Sequence, residues 1–99
     1  MSFTERAARG AARFDQVRPG WSSGINPGTV DVRSLNRCPA GQVFGSFSVA
    51  LKELGINGQD QETIVELGLD VHPHESTRNG YAALSAAWES EINERVNRR

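Results

Sequence analysis

Apolar side chains recur every three or four positions in two long stretches of the chain, residues 3–17 and residues 81–96. This spacing places them along one face of an α-helix, where they are buried against other elements. Ser2 and Glu5 have the spacing of a capping box, in which each residue binds the other's backbone N–H group. Pro19 disfavours helical backbone in the residue before it. The pattern therefore predicts a first helix that Ser2 caps and that ends just before Pro19.

The middle of the chain carries a further apolar repeat, which predicts a helix from positions 36–38 to Leu54. Pro39 fits its first turn, where a missing N–H group costs nothing. Gly41 and Gly45 stand four residues apart and so share one face of this predicted helix. They match no nucleotide-binding fingerprint, because no strand precedes them. We interpret their face as a groove for close packing.

Two more helices are predicted in the second half of the chain. Asp60 is a suitable cap for a short helix over residues 61–67, which Gly68 ends. The helix of the last apolar stretch is expected to be capped by Ser76 or Thr77.

Between the first and second predicted helices lies a long loop, residues 20–37, rich in Gly, Ser, Asn and Pro. Loops above about 12–15 residues without structure of their own are uncommon in compact domains. We therefore expect apolar side chains to pin this loop to the core. These side chains are Trp21, Ile25, Val30, Val32 and Leu35.

Together these elements predict a mostly α fold, with about four helices in a single domain over residues 1–99. Gly10 interrupts the first helix with a residue that lowers helix propensity by about 1 kcal/mol relative to Ala. We interpret it as the site of a close helix crossing. The predicted core consists of Phe14, Trp21, Phe44, Phe47, Leu51, Leu84 and Trp88.

Composition argues against several classes of protein. Eleven basic and 12 acidic side chains give a net charge of −1, which provides no bulk attraction to nucleic acid or membranes. A single cysteine forms no internal disulfide, so a reducing cytoplasm fits. The first residues contain no apolar run, and we expect neither a signal peptide nor a membrane span.

Two groups of residues are of types that can carry chemistry. Asp70, His72, His74 and Cys38 are metal-ligand types, but their spacing matches no zinc framework. Cys38 precedes a predicted helix and follows Arg37, which favours a thiolate nucleophile. A lone cysteine before Pro-Ala-Gly is more often a small buried apolar residue. We therefore expect no catalysis, no metal site and no cofactor.

The first predicted helix also carries a basic face, formed by Arg6, Arg9 and Arg13. Such arginines are usually solvated, and they also suit carboxylates on a protein partner or phosphates of a nucleic acid. Residues 61–67 carry two acidic side chains that would repel phosphate, so nucleic acid is the less favoured partner.

The other candidate binding surface is the loop over residues 22–28, which offers adaptable backbone to a partner. Its candidate binding residues are Ser22, Ser23 and Asn26.

Residues 9–15 and 18–21 are similar to an opening of the form RGAxxLDxxxPGW. Residues 38–47 are similar to a CxxGQxxG block, and residues 81–88 to a YxALTxAW helix. Together these segments resemble a family of short actinobacteriophage and actinobacterial prophage proteins. The sequence departs from this pattern at Pro39-Ala40 and in a longer loop around residues 72–77.

The resemblance implies a phage or prophage origin and an accessory role in the host bacterial cytoplasm. It brings no catalytic residue to this chain. We therefore expect a protein that acts without catalysis by binding a host or phage protein. The alternative is a small nucleic-acid-binding regulator that uses the basic face of the first helix.

Overall fold

The computed structural model describes residues 2–34 and 36–97 and is 68% helical. Among these residues there are five α-helices and no strand, which confirms the mostly α prediction. The α-helices are α1 (Phe3–Val17), α2 (Pro39–Phe44), α3 (Phe47–Leu54), α4 (Gln61–Glu66) and α5 (Arg78–Asn97). Short 3-10 helices lie at Trp21–Gly24, Pro27–Thr29 and Pro73–Glu75.

Helices α1, α4 and α5 begin where local capping signals predict. The Ser2 side chain accepts a hydrogen bond from the Glu5 N–H group, and the Glu5 side chain binds the Ser2 N–H group in return. Asp60 accepts from the Thr63 N–H group at the start of α4. Thr77 rather than Ser76 accepts from the Gly80 N–H group, 3.0 Å away, at the start of α5.

The predicted continuous helix from positions 36–38 to Leu54 is wrong at its centre. Gly45 ends α2 with a left-handed backbone, φ 91°, and Ser46 caps a separate helix, α3. An L-residue with a side chain rarely adopts this conformation, whereas glycine does so readily. Gly45 therefore turns the chain instead of lining a groove with Gly41.

Phe14 lies at the centre of an aromatic core. Its ring centroid is 5.1 Å from those of Trp21 and Phe44 and 5.2 Å from that of Trp88. Both pairs at 5.1 Å meet edge to face, the arrangement that aromatic quadrupoles favour. Of the predicted core, Phe14, Trp21, Phe44, Leu51, Leu84 and Trp88 are buried. Phe47 is only half-buried and packs against their edge.

The long loop is pinned as predicted by Trp21, Ile25, Val30 and Val32, all of which are buried. Leu35, the fifth expected pin, lies outside the described residues. The Val32 N–H group also donates to Ser85 Oγ, 3.0 Å away, which ties the loop to α5.

No helix in the described part of the chain is both long enough and apolar enough for a membrane crossing.

Candidate functional site

The predicted basic face of α1 is not a continuous exposed surface. Arg6 is buried, with 7% of its surface exposed, and both of its terminal nitrogens donate to the Glu75 carboxylate at 2.8 and 3.1 Å. This bidentate pair occupies the terminal N–H donors of Arg6, which are therefore not available to a carboxylate of a partner. The expectation that Arg6 lies on an exposed face is therefore wrong, because Glu75 and the segment around it cover that residue.

The other two α1 arginines differ from each other. Arg13 is half-buried and donates to the Leu54 carbonyl oxygen at 2.7 Å, so it satisfies the last turn of α3. Arg9 is exposed, and the structure pairs it with no described carboxylate. Of the three α1 arginines, only Arg9 has the exposed position that the sequence predicted for all of them.

The loop over residues 22–28 is exposed only in part. Ser22 is buried, with 2% of its surface exposed, which corrects its expected place on a binding surface. Ser23 and Asn26 are exposed, but their side chains bind the local backbone. Ser23 donates to the Gly20 carbonyl oxygen at 2.8 Å, and Asn26 accepts from the Gly28 N–H group at 3.0 Å.

Cys38 is a buried cap of α2. Its Sγ accepts a hydrogen bond from the Gly41 N–H group at 3.2 Å, and 3% of its surface is exposed. Burial raises the pKa of the Cys38 thiol, which disfavours the thiolate that a nucleophile needs. These features agree with the interpretation of Cys38 as a small buried residue.

The two histidines stack on each other. The ring centroids of His72 and His74 are 5.4 Å apart, with 11° between the ring planes. Over residues 2–34 and 36–97, no three His, Cys, Asp or Glu side chains come together in a way that could hold a metal ion.

A pocket of about 190 Å³ opens between the loop after residue 30, the start of α3 and the start of α5. Val32, Leu69 and Cys38 form its apolar part. Phe47 and Tyr81 add two half-buried aromatic rings. Its walls thus come from residues that are far apart in the sequence.

Local geometry places two of the lining residues, Phe47 and Leu69. The turn at Gly45 allows Ser46 to cap α3, with its Oγ accepting from the Val49 N–H group at 3.1 Å, and so sets Phe47 in the first turn. The Leu69 N–H group donates to the Ile64 carbonyl oxygen at 3.0 Å, which holds Leu69 against the end of α4.

Two charged residues, Arg33 and Asp70, line the same pocket. The Arg33 guanidinium lies over the Tyr81 ring, 5.7 Å from its centroid. Asp70 accepts from its neighbour Val71 N–H at 2.8 Å and from the Gln61 side-chain amide at 3.3 Å. The pocket therefore combines apolar and aromatic walls with one cation and one anion.

Sequence reasoning did not find this pocket. It grouped Cys38 and Asp70, which both line the pocket, but did so as metal-ligand types together with His72 and His74, which do not line it. It did not single out Arg33. Phe47 and Tyr81 belong to the predicted apolar stripes, and only the structure shows that they are half-buried.

A scan against protein-family models, a search of curated proteins and a search of solved structures each found no significant match to this chain.

Proposed function

We propose that this protein is a non-enzymatic binding module that holds one side chain of a partner protein in the pocket between α3 and α5. The observation that carries the proposal is the pocket itself, with two aromatic walls and a charged rim. Tyrosine and arginine, which both line this pocket, are enriched in protein-binding hot spots. A volume of about 190 Å³ suits one side chain, because pockets for drug-sized ligands are typically about 300–1,000 Å³.

The resemblance to phage and prophage proteins adds to this proposal where the module acts and what kind of partner it binds. We propose that it is an accessory protein of the host bacterial cytoplasm and that its partner is a host or phage protein.

The nucleic-acid alternative has less support. It depends on the α1 arginines, and Arg6 and Arg13 are engaged by Glu75 and by the Leu54 carbonyl oxygen. A nucleic-acid footprint needs several cations on one exposed surface, because affinity rises with the number of phosphates contacted. Arg9 by itself does not provide such a surface.

Site-specific photocrosslinking tests the proposal. Phe47 is replaced by benzoylphenylalanine, a photoreactive analogue, in the cell that produces the protein. The matched control places the same group at Val49, which is 43% exposed on α3 and does not line the pocket. We expect a discrete protein adduct from position 47 that is absent from position 49 and survives nuclease treatment. Adducts that nuclease removes, or equal adducts from both positions, contradict the proposal.

A further inference from the structure

The guanidinium of Arg33 differs from those of other arginines in this fold. Arg6, Arg18 and Arg95 all form ion pairs within the fold at 2.8 Å. Within residues 2–34 and 36–97, the Arg33 guanidinium has neither an ion pair nor a hydrogen bond, and its observed contact is with the Tyr81 ring. Arg33 is also exposed. Its donors are therefore open to a partner.

Asp70 lines the same pocket as Arg33 but does not bind it directly. No ion pair joins Arg33 to Asp70 in the described structure. Both carboxylate oxygens of Asp70 accept hydrogen bonds from the protein, Oδ1 from Val71 N–H and Oδ2 from the Gln61 amide. The Asp70 oxygens are thus already engaged by protein donors, whereas no group in the described part of the chain accepts from the Arg33 guanidinium.

The position of Arg33 over Tyr81 suits the recognition of a carboxylate. Contact between a guanidinium and an aromatic face restricts the side chain and leaves N–H donors at the edge of the guanidinium. These donors match the two oxygens of a carboxylate in a bidentate pair.

We infer that the partner segment carries an acidic residue directly beside the apolar residue that enters the pocket, and that its carboxylate binds Arg33. This inference rests on the proposed function, and it adds the chemistry of the partner. The occupant is a short acidic and apolar segment of another protein. Asp70 then limits the affinity by repelling the same carboxylate and favours segments in which the acidic group lies on the Arg33 side.

The test uses NMR titration of the ¹⁵N-labelled full chain with blocked tetrapeptides. The probes are acetyl-Gly-Leu-Glu-Gly-amide, the same peptide with Gln for Glu, and the same peptide with Lys for Glu. We expect all pocket-bound probes to shift the Phe47 and Tyr81 amide signals. We expect the Glu peptide to bind about two- to fivefold more tightly than the Gln peptide at low salt, the range for one exposed charge pair.

Two substitutions and one control test whether Arg33 and Asp70 cause the preference for the Glu peptide. Arg33→Gln should abolish it, and Asp70→Asn should increase the affinity for the Glu peptide. Lys52→Gln makes the same change in net charge as Arg33→Gln on an exposed residue outside the pocket, and should leave the preference intact. The dispersion of the amide spectrum verifies the fold of each variant.

The outcomes separate this inference from the proposed function. If the Gln peptide shifts the pocket signals and the Glu peptide binds no more tightly, the acidic partner is overturned while the binding pocket stands. If the Lys peptide binds best, Asp70 determines the charge preference and the inference is again overturned. If none of the probes shifts Phe47 or Tyr81, both proposals fail. An oligothymidylate that shifts Arg33 more strongly than the peptides assigns the cation to nucleic acid and overturns the inference.

Discussion

Gly10 shows how a single missing side chain determines a helix crossing. A Cβ atom built at this position would meet the Leu67 carbonyl oxygen and lie 2.7 Å from Trp88 Cζ2. Neither neighbour is free to withdraw, since one is backbone and the other is a fully buried ring. The interpretation of Gly10 as the site of a close crossing is confirmed.

Gly10→Ala should therefore destabilise the protein by about 1–3 kcal/mol, the usual cost of overpacking a core, although alanine is the better helix former. Urea denaturation measures the free energy of unfolding. The control is Gly24→Ala, where a Cβ atom would meet nothing within 4 Å. A stabilised Gly10→Ala variant would show that helix propensity outweighs the contact.

Trp88 is fully buried, and its indole N–H group donates to the Gly68 carbonyl oxygen at 2.7 Å. Trp88→Ala should lower the free energy of unfolding by about 3–5 kcal/mol, the range for the loss of a buried large aromatic side chain. Chemical denaturation followed by circular dichroism measures this loss. Val96→Ala, at a residue 40% exposed on the same helix, should cost much less. A near-neutral Trp88→Ala variant would be incompatible with this core.

At the scale of elements, the break between α2 and α3 orients the start of α3 so that Phe47 lines the pocket. Gly45→Ala places a side chain at φ 91° and should cost about 1–2 kcal/mol. Gly45→Asn should cost less, because asparagine tolerates left-handed backbone better than alanine does.

Thermal denaturation of the two Gly45 variants provides the measurement, with Gly58→Ala as the control. A Cβ atom at Gly58 would make only an ordinary 3.9 Å contact with Leu51. If Gly45→Ala is as stable as the wild type, α2 and α3 are able to join into one helix.

Ion pairs between distant segments stabilise the arrangement of the elements. Arg95 near the end of α5 binds Asp15 of α1 at 2.8 Å and Glu91 of its own helix at 2.9 Å. The second of these is the pair that i,i+4 spacing predicts. Asp15 also accepts from the Trp21 indole at 2.8 Å. The end of α5 is thereby tied to both α1 and the long loop.

At the scale of the whole molecule, the Arg6 to Glu75 pair links the start of α1 to the segment before α5. Hydrogen bonds from Arg6 lower the pKa of Glu75 from 4.5 to about 2. A carboxylate with a lowered pKa in the folded state stabilises that state above its unfolded pKa and loses the contribution as the pH falls. The loss should therefore occur between about pH 4.5 and pH 2.

Glu75→Gln should reduce the free energy of unfolding at pH 7 by about 1.5–3 kcal/mol, as expected for hydrogen bonds between charged groups. Its deficit relative to the wild type should shrink as the pH falls through the same interval. Denaturant titrations at several pH values test this, with Glu62→Gln as an exposed control outside the described ion pairs. A deficit that does not change with pH would mean that the carboxylate charge is not its cause.

The sequence by itself determined α1, α4 and α5, most helix ends and most of the aromatic core. Capping by Ser2, Asp60 and Thr77 depends on groups within three residues of each other, and apolar spacing shows which face of a helix is buried. These signals are local, so they can be found without knowledge of the fold.

Only the tertiary structure decided which α1 arginines are buried and where the pocket forms. Arg6 finds its partner 69 positions away, and the pocket joins side chains of the long loop, α3, α5 and the segment after α4. Amphipathic spacing shows that a residue lies at the edge of a helix, but not which distant segment covers it. Burial of Arg6 and exposure of Arg33 are therefore consequences of packing between parts of the chain that no local pattern connects.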